Sequence, residues 1–414
     1  MNAAVQAIRE ARAWQLAIGA VSLLALGVQI YLVARDWTFY QYDFRAYYSG
    51  PFLRSIGEDP YSVIAHLAWA ESEGLHDHAL AFVYSPLILF AFSPLAMLPY
   101  PVAFGVWLGL QVLALAYVCI ATVRVLDVPA HWALPCLAFG LNGTLAAVLR
   151  SGQVTLIILV LMLSAVALLK RRSTGGALIP MVVAATLKIW VVPLLALAAV
   201  PFSTRRILLV AAAFGIIVVL TLSGTLFAPE LQARYQEIVG EMVAFDRAPV
   251  SPYDQSILNI LAYVSDAGAF PTAVMRTVWL AVCAGLVGIT AIVCLPLTMG
   301  TRDPARLYPL LFSVACLLLL LIVPRAIHYQ WTIALPAAAY VLCRIRTPAI
   351  RGLLTAMLLI PPLYVNRYLF GISTDARLET LLLLPWGFWS YLTVSLLWVA
   401  CLGIARRDRR DGLL

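Results

Sequence analysis

The run RRILLVAAAFGIIVVLTLSGTLFAPE, Arg205 to Glu230, decides the fold. No charged side chain stands between Ile207 and Pro229. As a helix, the segment 206–227 is long enough to cross hydrocarbon roughly 30 Å thick, which takes about 20 residues. Two arginines precede it, and a polar stretch, 228–272, follows it. Cytoplasmic loops carry the excess of Lys and Arg, so 206–227 is expected to run outward. The same alternation continues to the C-terminus. Segment 273–299 returns to Arg302 and Arg306, 306–323 goes out, and 329–343 comes back to Arg344, Arg346 and Arg351. Segment 350–370 then goes out, and 380–404 returns to Arg406, Arg407, Arg409 and Arg410. Every basic cluster in this half lands on one side.

Composition agrees with that pattern. Hydrophobic residues make up 63% of the 414 positions and charged residues 12%, with a mean hydropathy of +0.92. Soluble domains carry about 25% charged residues, so this chain cannot coat a water-facing surface of its size. The net charge of +8 sits in short clusters between apolar runs, not in a basic stripe with interleaved aromatics, which argues against a nucleic-acid partner. The seven cysteines are scattered singly through apolar runs without CxxC spacing, so they read as small buried hydrophobes.

The first apolar run, Trp14 to Ala34, is longer than a signal-peptide core and lacks a following A-x-A site. It reads as a signal anchor, with Arg9 and Arg12 holding the N-terminus in the cytoplasm. The middle of the chain allows two threadings. Apolar runs at 82–99, 101–124, 130–149, 153–169 and 177–200 give five crossings, which bring the total to twelve but leave Lys170-Arg171-Arg172 outside. Alternatively 82–99 and 177–200 are re-entrant, leaving ten crossings and returning that cluster to the cytoplasm. Both pieces carry breakers: Pro86, Pro94 and Pro99 in one, Pro180 and Pro193 in the other. The simpler count of about twelve is the first expectation. The fold class is an all-α polytopic membrane bundle forming a single domain, 1–414, with external loops 35–81 and 228–272.

Each loop is expected to hold an amphipathic helix lying in the outer interface. In the first, Pro60 and Ser62 precede Ile64, Leu67, Ala68 and Leu75, with Gly74 as a break. In the second, Pro229 suits a first helical turn. Leu231, Tyr235, Ile238, Val239, Met242 and Phe245 then recur at helical spacing.

Few ionisable residues remain at membrane depth or its outer edge, and such charges are functional candidates by default. They are Asp43, Arg150, Lys188, Arg325 and His328. Asp43 lies among aromatics in YQYDFRAYY, 40–48. Partial desolvation there raises a carboxylate's pKa and makes it a better base; the plainer reading is a loop carboxylate paired with Arg45 or Arg35. His328 can serve as hydrogen-bond donor or proton carrier, with Arg325 beside it as a phosphate contact, or the pair anchors an interfacial belt. Lys188 interrupts an apolar run, so it either snorkels or faces a cavity holding an anion. Arg150 is equally a loop residue or a site residue. No DxD marks a divalent metal around a nucleotide phosphate.

At these residues the chain resembles glycosyltransferase family 87, bacterial membrane mannosyltransferases of the GT-C class. The pieces, in order, are Asp43-Phe44-Arg45-Ala46-Tyr47-Tyr48, Gly57-Glu58-Asp59-Pro60-Tyr61, Tyr84-Ser85-Pro86-Leu87 with Ser93-Pro94-Leu95, and Ser151-Gly152-Gln153. Leu187-Lys188-Ile189 with Pro193, Asp254-Gln255-Ser256, and Pro324 with His328 complete the set. The resemblance implies transfer of a hexose, usually mannose, from a polyprenyl phosphate to a lipid or glycan hydroxyl. It implies an inverting, metal-independent reaction without cofactor at the outer face of a bacterial inner membrane. It assigns Asp43 as general base. Together with the ionisable residues above, this gives Asp43 and His328 as the catalytic candidates and Lys188, Arg325, Arg150, Gln153, Tyr47, Tyr48 and Gln255 as candidate donor-phosphate or substrate contacts. A lipid phosphate leaving group calls for Arg or Lys in place of a divalent ion. Relatives commonly show Pro-x-Ser-Trp-x-His where this chain has Pro324-Arg325-Ala326-Ile327-His328, so Arg325 stands as an alternative phosphate contact. Two other readings compete: transfer of a pentose such as arabinofuranose from the same lipid carrier, and a secondary transporter or lipid flippase. The second normally shows repeated halves, and 1–205 and 206–414 are not alike.

Overall fold

The computed structural model describes residues 2–75, 82–243, 254, 256–266, 272–300, 303–359 and 389–413. The described part is an all-α bundle. Six of its helices are long and apolar enough to cross a membrane, or seven if the bent pair Ala130–Phe139 and Thr144–Ser151 is one span. Gln255, Phe245 and the ends of the expected crossings 350–370 and 380–404 lie outside the described residues.

Two ends organise the bundle. Helix α1 (Asn2–Arg35) leads to α2 (Tyr42–Ser55), which carries Asp43, and then to the short α3 (Val63–Ser72) and α4 (Pro86–Ala96). The piece containing α4 does not cross. Its leading residue Phe82 packs on Gly50 of α2, and its trailing Leu98 carbonyl accepts from the Tyr48 hydroxyl at 2.8 Å. Both ends of 82–99 thus stay beside α2.

Helix α5 (Tyr100–Val125) starts against Phe44 and Trp37 and runs to the far end. The bent pair α6 (Ala130–Phe139) and α7 (Thr144–Ser151), turned by 58°, comes back, and the Arg150 carbonyl accepts from the Gln41 backbone N–H at 2.5 Å. Helix α8 (Thr155–Lys170) leaves again, and Lys170 Nζ there donates to the Val125 carbonyl at 2.7 Å and pairs with Asp127 at 3.4 Å. The cluster Lys170-Arg171-Arg172 therefore sits at the end opposite Asp43.

Helix α9 (Thr174–Leu187) returns to Lys188, and a 3-10 stretch, Ile189–Leu195, with α10 (Ala196–Ala199) turns back alongside it. Val200, at the foot of this hairpin, accepts hydrogen bonds from Arg206 and from the Tyr308 hydroxyl. Segment 177–200 is a broken, re-entrant piece, with Pro193 inside the 3-10 stretch where a regular helix is interrupted. Among the described residues the re-entrant form of the middle threading is the one observed, with 82–99 and 177–200 doubling back. It gathers Lys170–Arg172, Arg205, Arg206, Arg306, Arg344 and Arg406–Arg410 at one end and Asp43 at the other.

From the arginine end, α11 (Thr204–Leu222) and α12 (Gly224–Phe227) climb to α13 (Pro229–Val243) and α14 (Ile257–Asp266). Helix α15 (Thr272–Gly300) descends, α16 (Pro304–Ile322) climbs, and a 3-10 turn, His328–Ile333, starts α17 (Ala334–Arg344), whose Arg344 carbonyl meets Arg407 at 3.1 Å. Helices α18 (Pro348–Leu359) and α19 (Trp389–Arg410) close the bundle.

The loop helices divide. In α3, capped by Ser62 at 3.3 Å from the Ala65 N–H, His66, Trp69 and Ala70 face the protein, while Ile64 and Leu67 stay exposed as an interfacial stripe requires. In α13 the stripe is partly buried against the protein instead, with Tyr235 on Tyr61 at 6.5 Å. A salt bridge, Arg234 to Asp59 at 3.0 Å, ties the two loops together.

Candidate functional site

The site is built where α2 begins. Gln41, in the left-handed region at φ 68°, ends the loop after α1 and orients the first turn of α2. Its backbone N–H donates to Arg150, and its side chain donates to the Leu149 carbonyl and to Gln111 Oε1 at 3.2 Å. Gln111 in turn donates to the Gln153 carbonyl at 3.2 Å, and Trp107 Nε1 donates to the Gly152 carbonyl at 2.8 Å. Ser151-Gly152-Gln153 is thereby pressed against Gln41 and Phe44. Gly152 has φ 77°, and a Cβ there would meet Gln41 Oε1 and lie 2.7 Å from Phe44 Cβ. Only glycine lets the two segments approach this closely.

The docking brings Gln153 to Asp43. Gln153 Nε2 donates to Asp43 Oδ1 at 2.6 Å, and Gln153 Oε1 accepts from the Tyr47 hydroxyl at 3.0 Å. Tyr47 also meets the Tyr84 hydroxyl at 2.9 Å and stacks on Phe92 at 5.0 Å. Lys188, at the tip of the re-entrant hairpin, places Nζ 4.5 Å from the centre of the Tyr84 ring. Asp43 is buried, and its Oδ2 has no hydrogen-bond partner. Burial pushes its pKa up to about 7, against the lowering influence of the Lys188 charge and of Ser151 and Gln153. One carboxylate oxygen is fixed, the other is unclaimed, and the group changes charge near neutrality. Such an arrangement can accept a proton from a hydroxyl.

Neither arginine considered as a partner for Asp43 takes it. Arg45 turns to the Thr38 and Tyr40 carbonyls, and Arg35 pairs with Asp36 at 2.6 Å.

The opposite wall comes from the second half of the chain. The 3-10 turn His328–Ile333 packs on α7. Its Tyr329 hydroxyl lies within electrostatic reach of Asp43, Tyr84, Tyr42 and Arg325. The irregular segment that precedes this turn is held by Asp254, which pairs with Ile327 in an isolated antiparallel bridge. Asp254 Oδ1 accepts from the Ala326 and Ser256 N–H groups, both at 2.9 Å. Arg325 is exposed on the rim. His328 is partly buried, and burial holds its ring below the usual histidine range, so it is neutral near pH 7.

The candidates therefore separate. Asp43, Gln153, Tyr47 and Lys188 share one cluster, with the Arg325–His328 segment beside it. Tyr48 turns away to Leu98, Trp69 and Tyr100. Arg150 directs its guanidinium to Gln29 at 3.2 Å and to the Tyr40 ring, on the α1 side. Tyr84, Gln41, Gln111 and Tyr329 belong to the site or its support and were not among the expected contacts. A lone glutamine inside an apolar span, as at Gln111, is the kind of signal that exposes such a residue.

No curated protein and no solved structure matches the chain. The model of glycosyltransferase family 87 matches residues 82–324, more than half of the chain, and spans Tyr84, Gln153, Lys188 and Asp254. The chain belongs to glycosyltransferase family 87 and is a membrane glycosyltransferase.

Proposed function

We propose that the protein transfers a hexose, mannose in the first instance, from a polyprenyl-phosphate donor to a hydroxyl of a lipid or glycan acceptor, with inversion at the anomeric carbon. Asp43 acts as general base through Oδ2. The acceptor oxygen forms its bond to the anomeric carbon as the bond from that carbon to the lipid phosphate breaks, and the hydroxyl proton passes to Asp43. The leaving phosphate gains negative charge, which Lys188 is placed to stabilise with Arg325 on the rim. Gln153, steered by Tyr47, fixes the carboxylate for in-line proton transfer.

The observation that carries this reading is the buried Asp43 carboxylate, poised near neutrality beside the Lys188 ammonium. Two further features support it. Pro193, just beyond Lys188, lines an apolar cavity of about 260 Å³ between the 3-10 stretch, α15 and α16, suited to a hydrocarbon chain. The arginine clusters gather at the end opposite Asp43, which by the positive-inside rule supports a site facing outward, toward the periplasm of a bacterial inner membrane.

The test uses purified protein in detergent with polyprenyl-phosphate mannose and a glycolipid acceptor pool. Release of polyprenyl phosphate together with sugar transfer is expected. Turnover with a nucleotide sugar but not with the lipid-linked one overturns the donor assignment.

A further inference from the structure

At the arginine end, between α15 and α19, lies a cleft of about 380 Å³ lined by Ile292, Val293, Arg406, Arg409 and Arg410. The nearby carboxylates are already engaged. Asp408 holds Arg407 at 2.7 Å, and Asp411 is shared between Arg346 at 3.6 Å and Arg410 at 3.7 Å. Asp303 pairs with Arg306 at 3.5 Å. Among the described residues the guanidinium groups of Arg406 and Arg409 make no hydrogen bond or ion pair, so the cleft keeps uncompensated positive charge.

The cleft is also amphipathic. Ile292 is 72% exposed, and Ile289 stands one turn before it. On α19, Leu396, Val399, Gly403, Arg406 and Arg410 follow each other along one helical face, exposed throughout. An apolar track on two membrane helices ends at Arg406 and Arg409, whose guanidinium groups make no ion pair among the described residues, and at Arg410, which only a distant Asp411 approaches. A free anion needs only the arginines, whereas this surface offers hydrocarbon contact directly beneath them.

We propose that the cleft is a binding site for one anionic phospholipid, its headgroup phosphate held by Arg406, Arg409 and Arg410 and its chains lying on Ile289, Ile292, Leu396 and Val399. Basic pockets between membrane helices suit such headgroups. The site stands at the opposite end of the bundle from Asp43, so it is independent of the sugar-transfer reading.

The experiment places the full-length protein in phosphatidylcholine nanodiscs containing increasing phosphatidylglycerol. Retained lipid is read by native mass spectrometry and the unfolding midpoint by a thermal scan. A retained phosphatidylglycerol and a raised midpoint are expected. R406Q/R409Q should keep the parent midpoint in pure phosphatidylcholine and bind phosphatidylglycerol about thirtyfold more weakly, from about 1 kcal/mol for each arginine removed. Equal retention of both lipids, or parent-like phosphatidylglycerol binding by the double variant, overturns the site. A midpoint shift reproduced by inorganic phosphate in phosphatidylcholine discs assigns the cleft to a free anion and overturns the lipid assignment.

Discussion

Replacing Gln153 with leucine removes the donor that holds Asp43 while nearly preserving side-chain volume. The 2.6 Å bond from Gln153 Nε2 to Asp43 Oδ1 is the short hydrogen bond that fixes the carboxylate, whose Oδ2 has no partner among the described residues. A hydrogen bond to a charged group contributes about 1.5–3 kcal/mol net. At 1.36 kcal/mol per pKa unit, its loss raises Asp43 by about one to two units from its position near 7. The sign follows from the base role. As the proposed base, Asp43 would work only when ionised, so the rising limb of the pH–rate profile should move alkaline by that amount. At pH 7 the ionised fraction falls from about one half to between a tenth and a hundredth, a loss of roughly 5- to 50-fold. The loss should fade above about pH 9, where the carboxylate is ionised again. Tyr47, deprived of its acceptor, still has the Tyr84 hydroxyl at 2.9 Å, so the local packing should hold. The assay is initial rate of sugar transfer from about pH 5 to 10. A loss equal at every pH, or an unmoved limb, refutes the proposed role of this hydrogen bond.

Three other perturbations separate the parts of the site. Lys188→Gln should also shift the limb to higher pH, because the ammonium lowers the Asp43 pKa. Unlike Gln153→Leu, it should leave the alkaline plateau at least tenfold down, since leaving-group stabilisation is lost as well (about 1.4 kcal/mol per tenfold); full recovery at high pH would argue against contact with the phosphate. Gly152→Ala forces a side chain into the left-handed region, about 1–2 kcal/mol, and against Phe44. It should lower both the thermal midpoint and activity, and a variant with parent-like stability would show that the approach of these segments is looser than described. Asp254→Ala should release the segment carrying Arg325 and leading into His328 and lower kcat/KM, whereas Asp254→Asn keeps an acceptor oxygen for the Ala326 N–H and should retain most of it. Equal kinetic damage in the two variants would rule out the acceptor role.

Much of this architecture is legible in the sequence because membrane helices must satisfy their own backbone, and uncharged runs announce them. Segment 206–227 and the four basic clusters of the C-terminal half were enough to set the polarity of the bundle. The middle is less transparent. Segments 82–99 and 177–200 are as apolar as true crossings, and only packing distinguishes them: Phe82 and Leu98 both rest on α2, and the hairpin turns at Lys188. The interfacial helices look alike in sequence, yet α3 keeps its apolar stripe outward while α13 buries part of its own on Tyr61. Asp43 and Lys188 stand out as charges in apolar surroundings. Gln153 as the carboxylate's donor does not, because 110 residues separate it from Asp43 and the contact depends on Gly152 docking against Gln41.

The most direct test of the central claim is single-turnover transfer by Asp43→Asn, run with measured binding of the polyprenyl-phosphate sugar. Asparagine keeps the size and the oxygen that accepts from Gln153 but cannot take a proton at neutral pH. The account predicts unchanged donor affinity with sugar transfer reduced at least a hundredfold, at the low end of what a general base contributes (about 10²–10⁴). Transfer at the parent rate with donor bound would contradict it.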